Sequence, residues 1–289
     1  MRVATDAVDA VVLAGGLNEI QLFEGDRPGY KALLPFGDRL AIHYTLDALR
    51  AAPNVKRIAV VGPGEKLRAA LAEYGDIDLV EGGETIMDSI YSGLQHFAAS
   101  PMVLIVTADL PLLTPAAIGD FLTACGQVEL TYAENMFLAV VPEKSYTGAY
   151  ADVPKAFNRF KDIAICHGNL FLVDPRLLKN THATRRMNAL YNARKSPISS
   201  ALAVGLHVGL TYVLGVHMWH LLSLNHMAQI ASRRFELGMI PVVIDHPEVT
   251  VDVDEPADYA FVARRLGLQP PPAAGAGPAT PPLPHPPTA

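Results

Sequence analysis

The sequence predicts an α/β fold in three layers, a mostly parallel sheet with helices on both faces, and three observations carry that prediction. Short apolar, β-branched runs alternate with helical patterns between Ala10 and Leu113, the order that builds βαβ units. The runs 10–14 and 102–106 are apolar throughout, as strands covered on both faces are. Both end in chemistry, one at Gly15-Gly16 and one at Asp109, and open parallel sheets bind ligands at the carboxyl ends of their strands.

The first strand is Ala10-Val11-Val12-Leu13-Ala14. Gly15 and Gly16 follow, and without Cβ atoms they let an anion approach main-chain N–H groups closely, although a short glycine turn is a weak signal by itself. A mixed polar loop then leads to Lys31 and Ala32-Leu33-Leu34-Pro35, which returns an ammonium toward the glycine turn. After Gly37-Asp38, apolar spacing predicts a helix over 43–50. Residues 55–62 read as a second buried strand ended by Gly62-Pro63-Gly64, followed by a helix over 65–74 and a short strand at 77–80. The segment 81–94, opening Glu81-Gly82-Gly83-Glu84, reads as a loop feeding a helix N-terminus. That terminus either offers N–H groups to an anion or is an ordinary one in which Asp88 or Ser89 serves the backbone. Residues 102–106 predict a central strand with Asp109 beyond its end, and Thr114-Pro115 supply the cap and first position of the next helix. A carboxylate buried at that place needs a cation partner.

From 128 to 195 the pattern loosens. Residues 137–141 read as a strand stopped by Pro142, and 168–173 as a strand entered through Gly168. Between them Lys155, Arg159 and Lys161 are either a solvated face or contacts for an anionic acceptor, and Arg185, Arg186, Arg194 and Lys195 pose the same alternative. The stretch 198–224 is the most apolar and has the length of a membrane span. Its three histidines, His207, His217 and His220, with Gly205, Gly209 and Gly215, favour two helices packed against the sheet; a groove for a lipidic acceptor is the alternative. The histidine spacing is not that of a metal cluster. Residues 240–244 and 249–254 predict the last strands, which puts Asp252 and Asp254 on one face unless Asp254 caps the final helix over 258–268. The chain thus divides into a domain over 1–268, with a helical insertion at about 176–235, and a Pro/Ala-rich tail over 269–289 that predicts disorder.

Composition narrows the function classes. With 289 residues, a formal net charge of −6 and no basic run, the chain is not built to track nucleic acid. Cys125 and Cys166 are far apart and lack metal-ligand spacing, so a reducing cytoplasm is expected. The N-terminus lacks the apolar core of a signal peptide.

Leu13-Ala14-Gly15-Gly16 with Lys31-Ala32-Leu33-Leu34-Pro35 resembles the nucleotide-binding entry of the MobA-like nucleotidyltransferases, the family that includes molybdenum cofactor guanylyltransferase and the methylerythritol-phosphate cytidylyltransferase. The chain departs at Leu17-Asn18-Glu19, where the family usually has a small residue, a Gly and an Arg; Arg27 is the candidate substitute. Segment 81–94 is similar to the cytidylyltransferases, Ala108-Asp109-Leu110-Pro111 to the family's metal-binding aspartate motif, and Asp252 to Asp258 to its D-x-D-x-P-x-D segment. The resemblance implies a Rossmann-like fold of the nucleotide-diphospho-sugar transferase kind. It also implies transfer of an NMP from an NTP, CTP or GTP, to a small phosphorylated or hydroxyl acceptor, with release of pyrophosphate. It makes Lys31 and Asp109 catalytic, and Leu13, Ala14, Gly15, Gly16, Lys31, Gly83, Ser89 and Ala108 nucleotide contacts. Mg2+ falls to Asp109 and Asp254, with Asp252 as the alternative, and acceptor contacts to Gly168, Asn169, Arg159 and Lys161. Two rivals stand beside this reading. One is a non-catalytic nucleotide- or nucleotide-sugar-binding protein, motivated by the absent loop arginine and opposed by the two carboxylates. The other is a glycosyltransferase on the same sheet, which would carry an internal D-x-D near mid-chain, and none is there.

Overall fold

The computed structural model describes residues 2–193 and 222–271. In chain order the elements are β1 (Val8–Leu13), β2 (Leu17–Asn18), β3 (Gly29–Tyr30), β4 (Pro35–Phe36), β5 (Arg39–Leu40), α1 (Ala41–Ala51), β6 (Val55–Gly62) and α2 (Gly64–Leu67). Then come β7 (Asp78–Glu81), α3 (Ile86–His96), β8 (Val103–Thr107), α4 (Pro115–Gln127), β9 (Asn135–Pro142), β10 (Asn158–Arg159), β11 (Ala164–Val173) and α5 (Thr181–Ala193). The last are α6 (Leu224–Phe235), β12 (Gly238–Val243) and α7 (Pro256–Arg265).

The main sheet runs β12-β9-β11-β8-β1-β6-β7, with β10 paired on β11. It is parallel except for β11, which is antiparallel to both β8 and β9, and the short β10–β11 pair. β1 is buried along its whole length, and its period of two divides it between two cores. Val8, Ala10 and Val12 join Ile42, Leu46 and Leu49 of α1 and Phe121 of α4; Val11 and Leu13 join Leu94 and Phe97 at the end of α3 with Phe235 of α6. Helices therefore cover both faces, giving the three layers. A third cluster seats α7 under the β4–β5 hairpin: Tyr259 stacks on Phe36 at 4.6 Å, and its hydroxyl donates to Pro35 O at 2.6 Å.

Three predicted elements differ. The helix over 65–74 is the single turn α2 followed by irregular turns, because Leu71 N bonds Leu67 O while Tyr74 N reaches only Leu71 O; Leu67, Leu71 and Tyr74 are buried all the same. The strand predicted to enter through Gly168 begins at Ala164, and Gly168 lies inside it, where the register with β9 shifts between His167 and Phe171. Residues 249–254 form no strand. A 3-10 turn, Pro247–Thr250, is followed by chain outside the sheet, whose alternate Val251 and Val253 pack with Phe36 and Tyr259. Period-two burial is thus satisfied by a side-chain cluster and not by a ladder.

The stretch 198–224 lies outside the described residues except for 222–224, so His207, His217 and His220 lie outside them, as do Arg194, Lys195 and the tail from 272. No helix among the described residues is long and apolar enough to cross a membrane.

Candidate functional site

A cavity of about 640 Å³ opens at the carboxyl ends of β1, β6, β7 and β8. The residues read as nucleotide contacts, namely the 13–16 turn, Lys31, Gly83, Ser89 and Ala108, all stand on its wall. Backbone bonds fix that wall. Ala14 N donates to Val61 O at 2.8 Å, Ala108 N to Leu13 O at 3.0 Å, and Lys31 N to Gly16 O at 2.9 Å, so the glycine turn is held between β6, β8 and the lysine loop.

Opposite it, α3 is capped by Thr85. Asp88 N donates to Thr85 Oγ1 at 3.1 Å and Thr85 N to Asp88 Oδ2 at 3.0 Å, which completes a reciprocal capping box. Ser89 does a different job: its Oγ accepts from Gly83 N at 3.2 Å and folds the glycine loop back onto the helix. Gly83 has to be glycine there, since a Cβ would come within 2.2 Å of Asp88 Cβ.

Asp109 follows β8 and is buried, and it does not cap α4, whose cap is Thr114 accepting from Ala117 N at 3.1 Å. Lys31, the first residue of the 3-10 turn Lys31–Leu33, lies 3.6 Å from Asp109 Oδ2 and donates to Asp254 Oδ1. Burial pulls the Lys31 ammonium toward neutrality, but the Asp254 and Asp109 carboxylates outweigh it and raise its pKa above the ordinary lysine value. Burial pushes the Asp109 carboxyl up, with the Thr107 hydroxyl and then Lys31 pulling the other way.

Asp109, Asp252 and Asp254 place carboxylate oxygens within 4.8 Å of one another. Asp252 also accepts from Lys155 Nζ at 2.9 Å. Asp109 Oδ1 is buried and accepts no hydrogen bond of ordinary length among the described residues, the Thr107 hydroxyl supporting the carboxylate only from farther off, a costly state for a carboxylate oxygen unless a cation satisfies it. Three carboxylates of hard oxygen donors, one of them carrying the orphaned buried atom, fit Mg2+.

The other candidates lie off the cavity wall. Gly168 is a packing glycine, since a Cβ there would meet Val249 Cγ2 at 2.8 Å and Ala139 Cβ at 3.2 Å. Asn169 Nδ2 reaches Val249 O at 3.4 Å. Arg159 makes a bidentate pair with Glu143 at 2.9 and 2.7 Å, and Lys161 is exposed. Arg27 is exposed and off the wall, whereas Glu19 is on it.

The roles of two residues of the site escaped the sequence reading. Lys155 was placed on a solvated or acceptor-binding face, yet its side chain is only 15% exposed against Asp252. Asp258 accepts from Asp254 N at 3.2 Å and Glu255 N at 2.9 Å and so sets the loop that carries the carboxylates; its place two residues after Pro256, in the first turn of α7, was the available signal.

Comparison with known proteins agrees with this geometry. The sequence model of the MobA-like NTP transferase domain matches residues 10–195. The chain is 33% identical over 118 residues to the 2-C-methyl-D-erythritol 4-phosphate cytidylyltransferase of Enterobacter sp. (strain 638), covering 40% of this chain and 48% of that one. It spans between 36% and 48% of the length of such curated cytidylyltransferase relatives. A hypothetical transferase from Thermus thermophilus superposes with a TM-score of 0.70 at 26% identity, over 87% of this chain and 99% of the other. The 4-diphosphocytidyl-2C-methyl-D-erythritol synthase of Anaerococcus prevotii DSM 20548 superposes with a TM-score of 0.52 at 13% identity over 91% and 97%, a likeness of fold alone.

Proposed function

Because the chain belongs to the MobA-like NTP transferase family, we propose that it transfers an NMP from an NTP, CTP or GTP, to a small phosphorylated or hydroxyl acceptor and releases pyrophosphate. The observation that carries this reading is the orphaned Asp109 Oδ1, buried beside Lys31 at the rim of a glycine-walled cavity. In this reading the 13–16 turn and the 82–83 loop receive base and phosphates on backbone N–H groups, and Ser89 holds the second loop in shape. Lys31 sets an ammonium against the α-phosphate, where it stabilises charge that grows as the acceptor attacks in line. Asp109 and Asp254, with Asp252, hold Mg2+, which when bound supplies charge neutralisation and orientation of the triphosphate. No general base is required if the nucleophile is already a phosphate oxygen.

The names of the matched relatives make CTP and 2-C-methyl-D-erythritol 4-phosphate the first pair to try. The test is Mg2+-dependent binding of each of the four NTPs, then pyrophosphate release with phosphorylated acceptors. Tight, metal-dependent binding of one NTP and release with one acceptor are expected; binding of none overturns the reading. A second reading, a nucleotide-binding protein without turnover, draws on Glu19 standing on the wall while Arg27 does not. It predicts NTP binding with no pyrophosphate release from any acceptor.

A further inference from the structure

The three carboxylates are held together by two ammonium groups. Lys31 bonds Asp254 and approaches Asp109, while Lys155 donates to Asp252 at 2.9 Å. Both lysines are largely buried, with side chains 19% and 15% exposed. Lys31 stands on the wall of the nucleotide cavity; Lys155 does not, and it reaches Asp252 from the segment between β9 and β10. Arg159, nearby in sequence, is engaged by Glu143. One ammonium therefore belongs to the nucleotide side of the cluster, and the other is dedicated to Asp252.

A divalent cation drawing on all three aspartates would compete, for charge and for space, with the ammonium groups already on Asp252 Oδ1 and Asp254 Oδ1. We propose that this site loads by ion exchange, in which the entering cation displaces Lys155 from Asp252, so that Lys155 is the resident counter-ion that holds the cluster together without metal and limits its metal affinity. This rests on the reading of the cluster as a metal site. The alternative, that Lys155 only orients Asp252 for the metal, predicts the opposite sign. Removing a competing cation at hydrogen-bond distance tightens metal binding, whereas removing an orienting partner weakens it.

The experiment titrates Mn2+ into the full chain, without nucleotide, and reads free ion by electron paramagnetic resonance for wild type, Lys155→Met and Lys155→Arg. Lys155→Met is expected to bind Mn2+ about three- to tenfold tighter than wild type, while Lys155→Arg, which keeps a counter-ion, binds no tighter. A folded Lys155→Met protein with unchanged or weaker affinity overturns the inference and leaves the metal site standing. Absence of Mn2+ binding to wild type and to Lys155→Met alike overturns both. Should Lys155→Met fail to fold, reductive methylation of wild type followed by peptide mapping decides: Mg2+ at saturation should speed modification of Lys155, and an unchanged rate overturns the exchange.

Discussion

At the scale of the residue, Lys31 makes the strongest commitment. It is the shared cation of Asp109 and Asp254, and its pKa is raised above the ordinary value of 10.5, so it stays charged at neutral pH. Lys31→Met should lower NTP affinity about tenfold or more, as loss of a charge-assisted contact to phosphate does. It should also cost metal-free stability by about 1–2 kcal/mol, below the range for a fully buried pair because both partners keep some solvent. Calorimetric titration with each NTP and urea unfolding check this, and equal affinity in the variant would sink the assignment. The turn residues and Lys31 were legible as a combination that resembles the family's nucleotide-binding entry, a glycine turn alone being a weak signal. Lys155 and Asp252 were not paired, since a contact across 97 positions leaves no local periodicity. Asp258 was read as part of a motif, while its service to Asp254 N and Glu255 N appears only with the backbone in place.

The elements teach a different lesson, concentrated in the turn Pro247–Thr250. That turn ends the excursion from β12 and delivers Asp252 and Asp254, and side chains from three directions fasten it. Tyr146 bonds Thr250 Oγ1 at 2.7 Å, Thr114 donates to Glu248 at 3.0 Å, and His246 bridges Asp120 at 2.8 Å and Glu248 at 3.0 Å. Burial would lower the His246 pKa, but hydrogen bonds to Asp120 and Glu248 raise it above 6.5. The sign follows: a raised folded pKa contributes stability that is full below the unfolded value and fades as pH climbs through the folded one. His246→Gln should therefore lose about 0.5–1 kcal/mol at about pH 5.5 and less at about pH 8, a modest figure because Asp120 is mostly exposed. Urea unfolding at the two pH values reads it, and a loss that grows with pH would contradict the bridge. The sequence showed this region as a strand because Val251 and Val253 alternate with aspartates, a pattern that any half-buried extended chain produces.

On the scale of the whole molecule, the fold class follows from the alternation of apolar runs and helices, while the reversal of β11 between β8 and β9 does not, because strand direction is set by connections and not by composition. The topology still does what the site requires. Asp109 leaves the sheet after β8, Asp254 precedes α7, and the two are 145 positions apart (254 minus 109) yet within reach of one cation. If they share it, metal and nucleotide stabilise each other's binding, and the protein should gain more thermal stability from Mg2+ with its NTP than from either alone. Asp109→Asn and Asp254→Asn should each remove most of that gain. The double variant should be little worse than either single, since ligands of one ion act as a unit and their losses do not add. Asp252 stays available in both single variants, so a small residual response is expected from it together with the remaining aspartate. Thermal-shift titrations of the four proteins with Mg2+ and each NTP decide the matter. Fully additive losses, or an undiminished metal response in Asp254→Asn, would mean that Asp254 and Asp109 do not share one ion, and the Mg2+ assignment would then contract to Asp109 and Asp252.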